Sequence, residues 1–151
     1  GAGVRYILND RADVALMLKA DGVHLGQEDL PPAAVRRMVP FSVCIGYSTH
    51  NRAQLEAAAG EPVDYLAIGP IFATGSKEKP DPVVGVEELA RLRRLTNKPL
   101  VAIGGITRAI AAAVLAAGAD AVAVISDLLA ADVDARLQEW LRLIKQHSAR
   151  G

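Results

Sequence analysis

The 151-residue chain has one cysteine, Cys44, so no intrachain disulfide can form and no cysteine-rich metal cluster is available. Its thiol reads as a small buried apolar group rather than a nucleophile. An excess of one charge is missing too. Seventeen Lys and Arg oppose seventeen Asp and Glu, a formal net charge of zero. No global positive field draws in nucleic acid or an acidic membrane, although local phosphate binding is untouched by that argument. No apolar run is long enough to span a bilayer and no secretory leader is evident, so a cytoplasmic location is expected. Several catalytic and cofactor motifs are absent. The three histidines form no HExxH pair, and there is no G-x-S-x-G elbow, no dinucleotide G-x-G-x-x-G and no P-loop.

What remains is aliphatic. Hydrophobic residues make up 51% of the chain and aromatics only 4%, so Ala, Val, Leu and Ile fill a single substantial core. Short apolar runs recur at Tyr6–Leu8, Gly22–Leu25, Ser42–Ile45, Tyr65–Ile68, Leu100–Ile103 and Ala121–Ile125. Helix-like stretches begin near Arg11, Pro32, Asn51, Val86, Thr107 and Asp132. In "VEELARLRRL", Leu89, Leu92 and Leu95 share one face beneath exposed charges. Asn51 and Thr107 are expected to cap their helices, and Gly60 and Gly118 to end them. Repeated strand–helix units with nearly continuous apolar strands predict a parallel sheet with helices on its faces. Both a β/α barrel and an open doubly wound sheet satisfy that spacing. Six strands in a barrel would leave two edges and part of the interior uncovered. Residues 1–151 are read as one incomplete β/α domain.

The chemistry is expected where the strand runs end. Asn9 and Asp10 close the first run, and Gln27, Glu28 and Asp29 follow the second. Asp10 and Asp29, opposed across two loops, can hold Mg2+ with substrate oxygens completing its shell; the alternative is a helix cap and a solvated acid. "IGYSTHNR" follows the third run and offers Ser48 for a phosphate or a polar ring. His50 and, within an apolar strand, His24 are assigned structural hydrogen bonds. "AIGPIFATGSKEKPDP" carries Thr74, Gly75, Ser76 and Lys77 beyond the fourth run, the ingredients of a phosphate loop. Gly104 and Gly105 precede a helix, and Ile125 and Ser126 end the last run. Consecutive strand ends of this kind recur as phosphate sites in β/α barrels.

The ordered set "ILNDRADVALMLKADGVHLGQEDLP", "IGYSTHN", "AIGPIFATGSK", "VAIGGI" and "GADAVAVIS" closely resembles the bacterial thiamine phosphate synthase family. The resemblance implies a TIM-type (β/α)8 barrel and a transferase. The reaction would join hydroxymethylpyrimidine diphosphate to hydroxyethylthiazole phosphate, with release of diphosphate. It also implies roles. Asn9, Ser48 and Lys77 would bind the pyrimidine diphosphate, with Lys77 and Ser48 catalytic, and Asp10 and Asp29 would bind Mg2+. Thr74, Gly75, Ser76, Gly105, Ile125 and Ser126 would enclose the thiazole phosphate. Ser76 stands where the family's T-x-T-K loop has its second threonine. Two further βα units, with a diphosphate-gripping strand end, are expected before the first run. The implied mechanism is dissociative substitution, in which diphosphate leaves and the thiazole nitrogen attacks the exocyclic methylene. Partners are two small phosphorylated molecules and, as an option, another copy of the chain, with neither nucleic acid nor membrane. The alternatives are a related thiazole tautomerase and a noncatalytic phosphate-binding fragment.

Overall fold

The computed structural model describes residues 3–75, 81–129 and 132–148. Six strands alternate with six helices: β1 (Ile7–Asn9), α1 (Ala12–Met17), β2 (Gly22–Leu25), α2 (Pro32–Met38), β3 (Cys44–Thr49), α3 (Arg52–Ala58), β4 (Tyr65–Ile68), α4 (Val86–Leu92), β5 (Leu100–Ile103), α5 (Arg108–Ala116), β6 (Ala121–Ala123) and α6 (Val133–Ser148). The strands form one sheet in the order β1-β2-β3-β4-β5-β6, every neighbouring pair parallel. A doubly wound sheet reverses its order at a switch point. Here the order never reverses, so the architecture is an arc of a TIM-type barrel, a curled sheet open at β1 and β6.

The pleat divides each strand between two environments. Val23, Leu25, Ile45, Leu66, Ile68, Leu100 and Ala102 lie on the convex face and are buried. They pack with Val35, Leu55, Leu89, Leu92 and Val114 from the helices. Leu95 is only partly buried, because α4 tightens into a 3-10 turn at Arg93–Leu95. The concave face carries the alternate residues, among them Ile7, His24, Cys44, Ser48, Tyr65 and Ile103, which are only partly buried. Cys44 is therefore a half-exposed inner-face residue rather than a fully buried one.

Three aspartates repeat one device at the N-terminal ends of the strands. Asp21, Asp64 and Asp120 precede β2, β4 and β6, and each accepts the backbone N–H of a residue at the start of the strand before it. The donors are Tyr6 (2.8 Å), Ile45 (2.7 Å) and Leu100 (2.8 Å). Arg36 and Arg93 pair with Asp64 and Asp120 in turn, at 2.6 and 3.2 Å. These contacts fix the register at the end of the sheet away from the cleft described below.

Strand β3 departs from the apolar pattern. The expected run, Ser42–Ile45, begins two residues early and ends four early; the strand continues through Gly46, Tyr47, Ser48 and Thr49. Polar residues sustain it because Ser48 faces the concave side. Buried Thr49 meanwhile donates its hydroxyl to Ala67 O at 2.8 Å. Strand β6 is shorter than its run, so Val124 and Ile125 lie beyond it. Asn51 caps α3 by accepting from Gln54 N at 3.0 Å, and Gln54 Oε1 reaches back to His50 N at 2.7 Å. Thr107 occupies the cap position of α5 without a side-chain bond. Gly118 takes a left-handed conformation just beyond that helix, whereas Gly60, after α3, does not. Among the described residues no helix is long and apolar enough to cross a membrane.

Candidate active site

The C-terminal ends of the strands open onto one cleft of about 760 Å³. Asn9, Asp10, Asp29, Ser48, Thr74, Gly105, Ile125 and Ser126 all line it. Of the other expected site residues, Gly75 is exposed and does not line the cleft. Ser76 and Lys77 lie outside the described residues.

The acidic side comes from β1 and β2. Asp10 has a left-handed backbone, φ 65°, and its N–H donates to His24 O at 2.8 Å. That conformation is uncommon for a residue with a Cβ, and Asp tolerates it better than most. Asp29 is held by its own loop, its Oδ2 accepting from Gly26 N at 2.6 Å. Partial burial, then the neighbouring Asp29 carboxylate, push the Asp10 carboxyl above the ordinary range. Two converging carboxylates that repel each other present the hard oxygen donors that a divalent cation neutralises. Among the described residues no group of three or more His, Cys, Asp or Glu side chains is arranged to hold a metal. This pair would therefore depend on ligand or water oxygens for the rest of a shell.

Ser48 forms the floor as part of β3 itself, not of the loop after it. Its Oγ lies 2.8 Å from His24 Nε2, and Gln27 Nε2 donates to its carbonyl at 2.6 Å. His24 Nδ1 is 2.9 Å from the Tyr65 hydroxyl, with the two rings stacked at 5.5 Å between centroids. His24, Gly46 and Tyr65 stand in one register row across β2, β3 and β4. The side-chain bridge passes over Gly46, where a Cβ would lie 2.5 Å from His24 Nδ1. Burial lowers the His24 pKa and raises that of Tyr65 to about 12. His50 has the structural bond expected of it, Nδ1–H donating to Gly69 O at 2.7 Å. Asp81 Oδ2 stands 3.5 Å from the same nitrogen.

The opposite wall is backbone. Gly104 and Gly105 both have positive φ, 96° and 63°, and both sit tight against the segment after β4. A Cβ on Gly104 would lie 2.6 Å from Pro70 Cα, and one on Gly105 would lie 2.6 Å from Ala73 O. Hydrogen bonds from Ile71 N to Ile103 O (2.9 Å) and from Phe72 N to Gly104 O (3.1 Å) hold the two segments together. The loop bearing Thr74 is closed at its base by Val84 N to Pro70 O (2.8 Å) and Gly85 N to Ile71 O (3.1 Å). Next to Ser126, Asp127 anchors the end of β6. It accepts from Arg108 Nε (3.2 Å), Arg136 Nη1 (3.1 Å) and Trp140 Nε1 (2.9 Å).

Gln54, Asp81, Gly69 and Pro70 also line the cleft, and motif reading does not assign them to the site. Tyr65 acts from below it. Glycine inside a strand signals close approach by another group, and Gly46 is the residue that could have pointed to the His24–Tyr65 bridge.

Known proteins align with this arrangement. The thiamine-phosphate synthase of Koribacter versatilis is 55% identical over 141 residues, covering 93% of this chain and 66% of the relative. That of Laribacter hongkongensis is 46% identical over 147 residues, covering 97% of this chain and 69% of the relative. The solved thiamine phosphate pyrophosphorylase of Pyrococcus furiosus superposes with a TM-score of 0.83 at 35% identity, over 93% of this chain and 67% of that one. The chain thus spans about two thirds of the length of each of these relatives. The family model for thiamine monophosphate synthase matches residues 1–128, and the chain belongs to that family.

Proposed function

We propose that the cleft binds a pyrimidine diphosphate and a thiazole phosphate and couples them with loss of diphosphate, as a thiamine phosphate synthase. The observation that carries this reading is the polarity of the cleft. A repelling carboxylate pair stands at the ends of β1 and β2, facing glycine-rich backbone and a serine hydroxyl at the ends of β5 and β6. One side suits a cation-linked diphosphate and the other a bare phosphate. Ser48 stands on the floor between them.

In this reading Asp10 and Asp29 would hold Mg2+, which supplies positive charge to the departing diphosphate when bound. Asn9 and Ser48 orient the pyrimidine and its diphosphate. Gly105 and Ser126 hold the thiazole phosphate, together with Thr74 and the hydroxyl of Ser76, which keeps the bonding group of threonine but not its methyl. Lys77 is assigned the diphosphate from its place in the family motif. No side chain has to act as a covalent nucleophile. The residues position the thiazole nitrogen against the exocyclic methylene and keep water away, which is where rate enhancement of such a substitution arises.

The test is product analysis with both substrates and Mg2+. Thiamine phosphate and diphosphate should appear together, and omission of either substrate should abolish both. Failure to form product under those conditions overturns the synthase assignment. One observation favours a second reading, phosphate binding without turnover: the concave face is partly exposed along β1 to β6. Tight binding of thiazole phosphate in the absence of any product would select it. Isomerisation of a thiazole carboxylate phosphate without pyrimidine would instead select the tautomerase.

A further inference from the structure

Tyr65 and His24 lie beneath the cleft and outside the set of residues assigned to its ligands, yet both polar ends of His24 are engaged. The Tyr65 hydroxyl carries one proton, and its one hydrogen-bond partner among the described residues is His24 Nδ1, at 2.9 Å. A half-buried phenol that failed to donate would leave an unsatisfied O–H, which is costly away from bulk water. The economical arrangement has the Tyr65 O–H donating to Nδ1. A neutral imidazole has a single N–H, and it must then be on Nε2, 2.8 Å from Ser48 Oγ. Ser48 Oγ accepts that bond. Its own hydrogen is left to turn toward the cleft that Ser48 lines.

We propose that Tyr65 and His24 are positioning residues that orient the Ser48 hydroxyl as a hydrogen-bond donor into the cleft, matched to an acceptor atom on the ligand. Ser48 Oγ accepts from Nε2–H in either charge state of His24, whereas Tyr65 sets the direction only in the neutral imidazole, the form that burial favours. Two features keep the chain rigid. The rings stack at 5.5 Å with 25° between planes, and Gly46 leaves the space through which the bridge passes. Gln27 Nε2 holds the Ser48 carbonyl at 2.6 Å, so the backbone bearing the hydroxyl is fixed from the other side. The acceptor class comprises phosphoryl oxygens and heteroaromatic ring nitrogens; an amino group, as a donor, is disfavoured. The ligand's identity rests on the functional reading above, whereas the direction of the chain does not.

Two measurements separate these. Long-range proton–nitrogen NMR correlation on the 151-residue chain with labelled histidine, His24 assigned by loss of its signals in His24→Gln, should show the proton on Nε2. In Tyr65→Phe that preference should weaken. A proton found only on Nδ1 of the unaltered chain overturns the proposal, whatever the protein catalyses. The second measurement is calorimetric binding of inorganic diphosphate with Mg2+ and, separately, of the hydroxymethylpyrimidine alone. Ser48→Ala should weaken one of the probes about tenfold, the equivalent of one hydrogen bond to a charged or ring acceptor. Tyr65→Phe should weaken the same probe about threefold, and the double variant should match Ser48→Ala rather than the product of the two. Fully multiplicative effects overturn the coupling. The diphosphate arm and the pyrimidine arm identify which acceptor Ser48 meets. Loss of product formation in the unaltered chain, with Nε2–H retained, refutes the synthase reading and leaves the chain of bonds standing.

Discussion

A methyl group on Gly46 would overlap the Tyr65 ring. The two residues are paired in register across β3 and β4, so neither strand can shift without breaking the parallel ladder. Gly46→Ala therefore has to displace Tyr65 and with it His24. Overpacking of this kind costs about 1–3 kcal/mol, and for a chain of this size each kcal/mol lowers Tm by roughly 2–4 °C. Gly60→Ala is the control, since its Cβ meets nothing within 4 Å and its φ is not positive. It should leave stability unchanged or raise it by about 0.4–1 kcal/mol through the unfolded chain. Thermal unfolding of both variants checks the contrast.

Gly105 and Gly85 separate a strained backbone from a damaged site. Both have positive φ, 63° and 77°, so alanine at either costs about 1–3 kcal/mol. At Gly85 the added Cβ meets nothing within 4 Å, whereas at Gly105 it meets Ala73 O at 2.6 Å and Phe72 Cβ at 2.8 Å. Gly85→Ala should lower the urea midpoint and leave thiazole phosphate affinity within about twofold. Gly105→Ala should lower both, with affinity falling by at least tenfold. Equal affinities in the two variants would remove Gly105 from the phosphate wall.

Periodicity reaches the strands and helices here because the helices cover only the convex face. That leaves each buried run short, aliphatic and bounded by turn residues, as at Tyr65–Ile68 and Leu100–Ile103. It misjudges β3, where Gly46, Tyr47 and Ser48 belong to a strand whose inner face is polar and packed against His24. Hydrophobic pattern registers burial and is blind to a hydrogen-bonded inner layer. The loop-end residues Asp10, Asp29, Gly105 and Ser126 are legible from order alone, since each follows a strand. What no local pattern carries is pairing at a distance. His24 and Tyr65 are 41 positions apart, and Arg108 and Trp140 reach Asp127 from 19 and 13 positions away, on separate elements. The register-setting aspartates Asp21, Asp64 and Asp120 repeat just before alternate strands. That signal becomes readable once the strand order is known.

The carboxyl of Asp10 is held above its ordinary range by partial burial and by Asp29. A carboxyl with a raised folded pKa binds more protons folded than unfolded. Stability without metal should accordingly fall as pH rises from about 3.8 through the raised value, and stay lower above it. Asp10→Asn removes the repulsion and should stabilise the metal-free chain at neutral pH by about 0.5 kcal/mol, the scale of partly exposed charge pairs. The same change should weaken Mg2+ binding by at least tenfold and suppress turnover. Calorimetric Mg2+ titrations should also show proton release just above the usual carboxylate range, lost in the variant. Unchanged rates across a Mg2+ titration, in the variant and the unaltered chain alike, would remove the metal from this pair.

Asp127 accepts three bonds from two helices while its neighbour Ser126 lines the cleft. Its side chain is 10% exposed, and Trp140 is 4% exposed, so truncation would leave the Trp140 Nε1–H poorly solvated. Asp127→Ala should cost about 2–3 kcal/mol, between an orphaned hydrogen-bond group and a broken buried ion pair. The Arg108 and Arg136 side chains retain Glu139 as a partner, which keeps the loss below the upper end of that scale. Trp140→Phe removes the Nε1–H and leaves a cavity where the rest of the buried indole packed, so it should cost about 2–3 kcal/mol, and less in the Asp127→Ala background, where its acceptor is already gone. The carboxylate itself does not line the cleft. A fall in thiazole phosphate affinity in Asp127→Ala, with pyrimidine affinity preserved, would therefore reach the site through the Ile125–Ser126 turn, and unchanged affinity would confine Asp127 to holding α5 and α6 together.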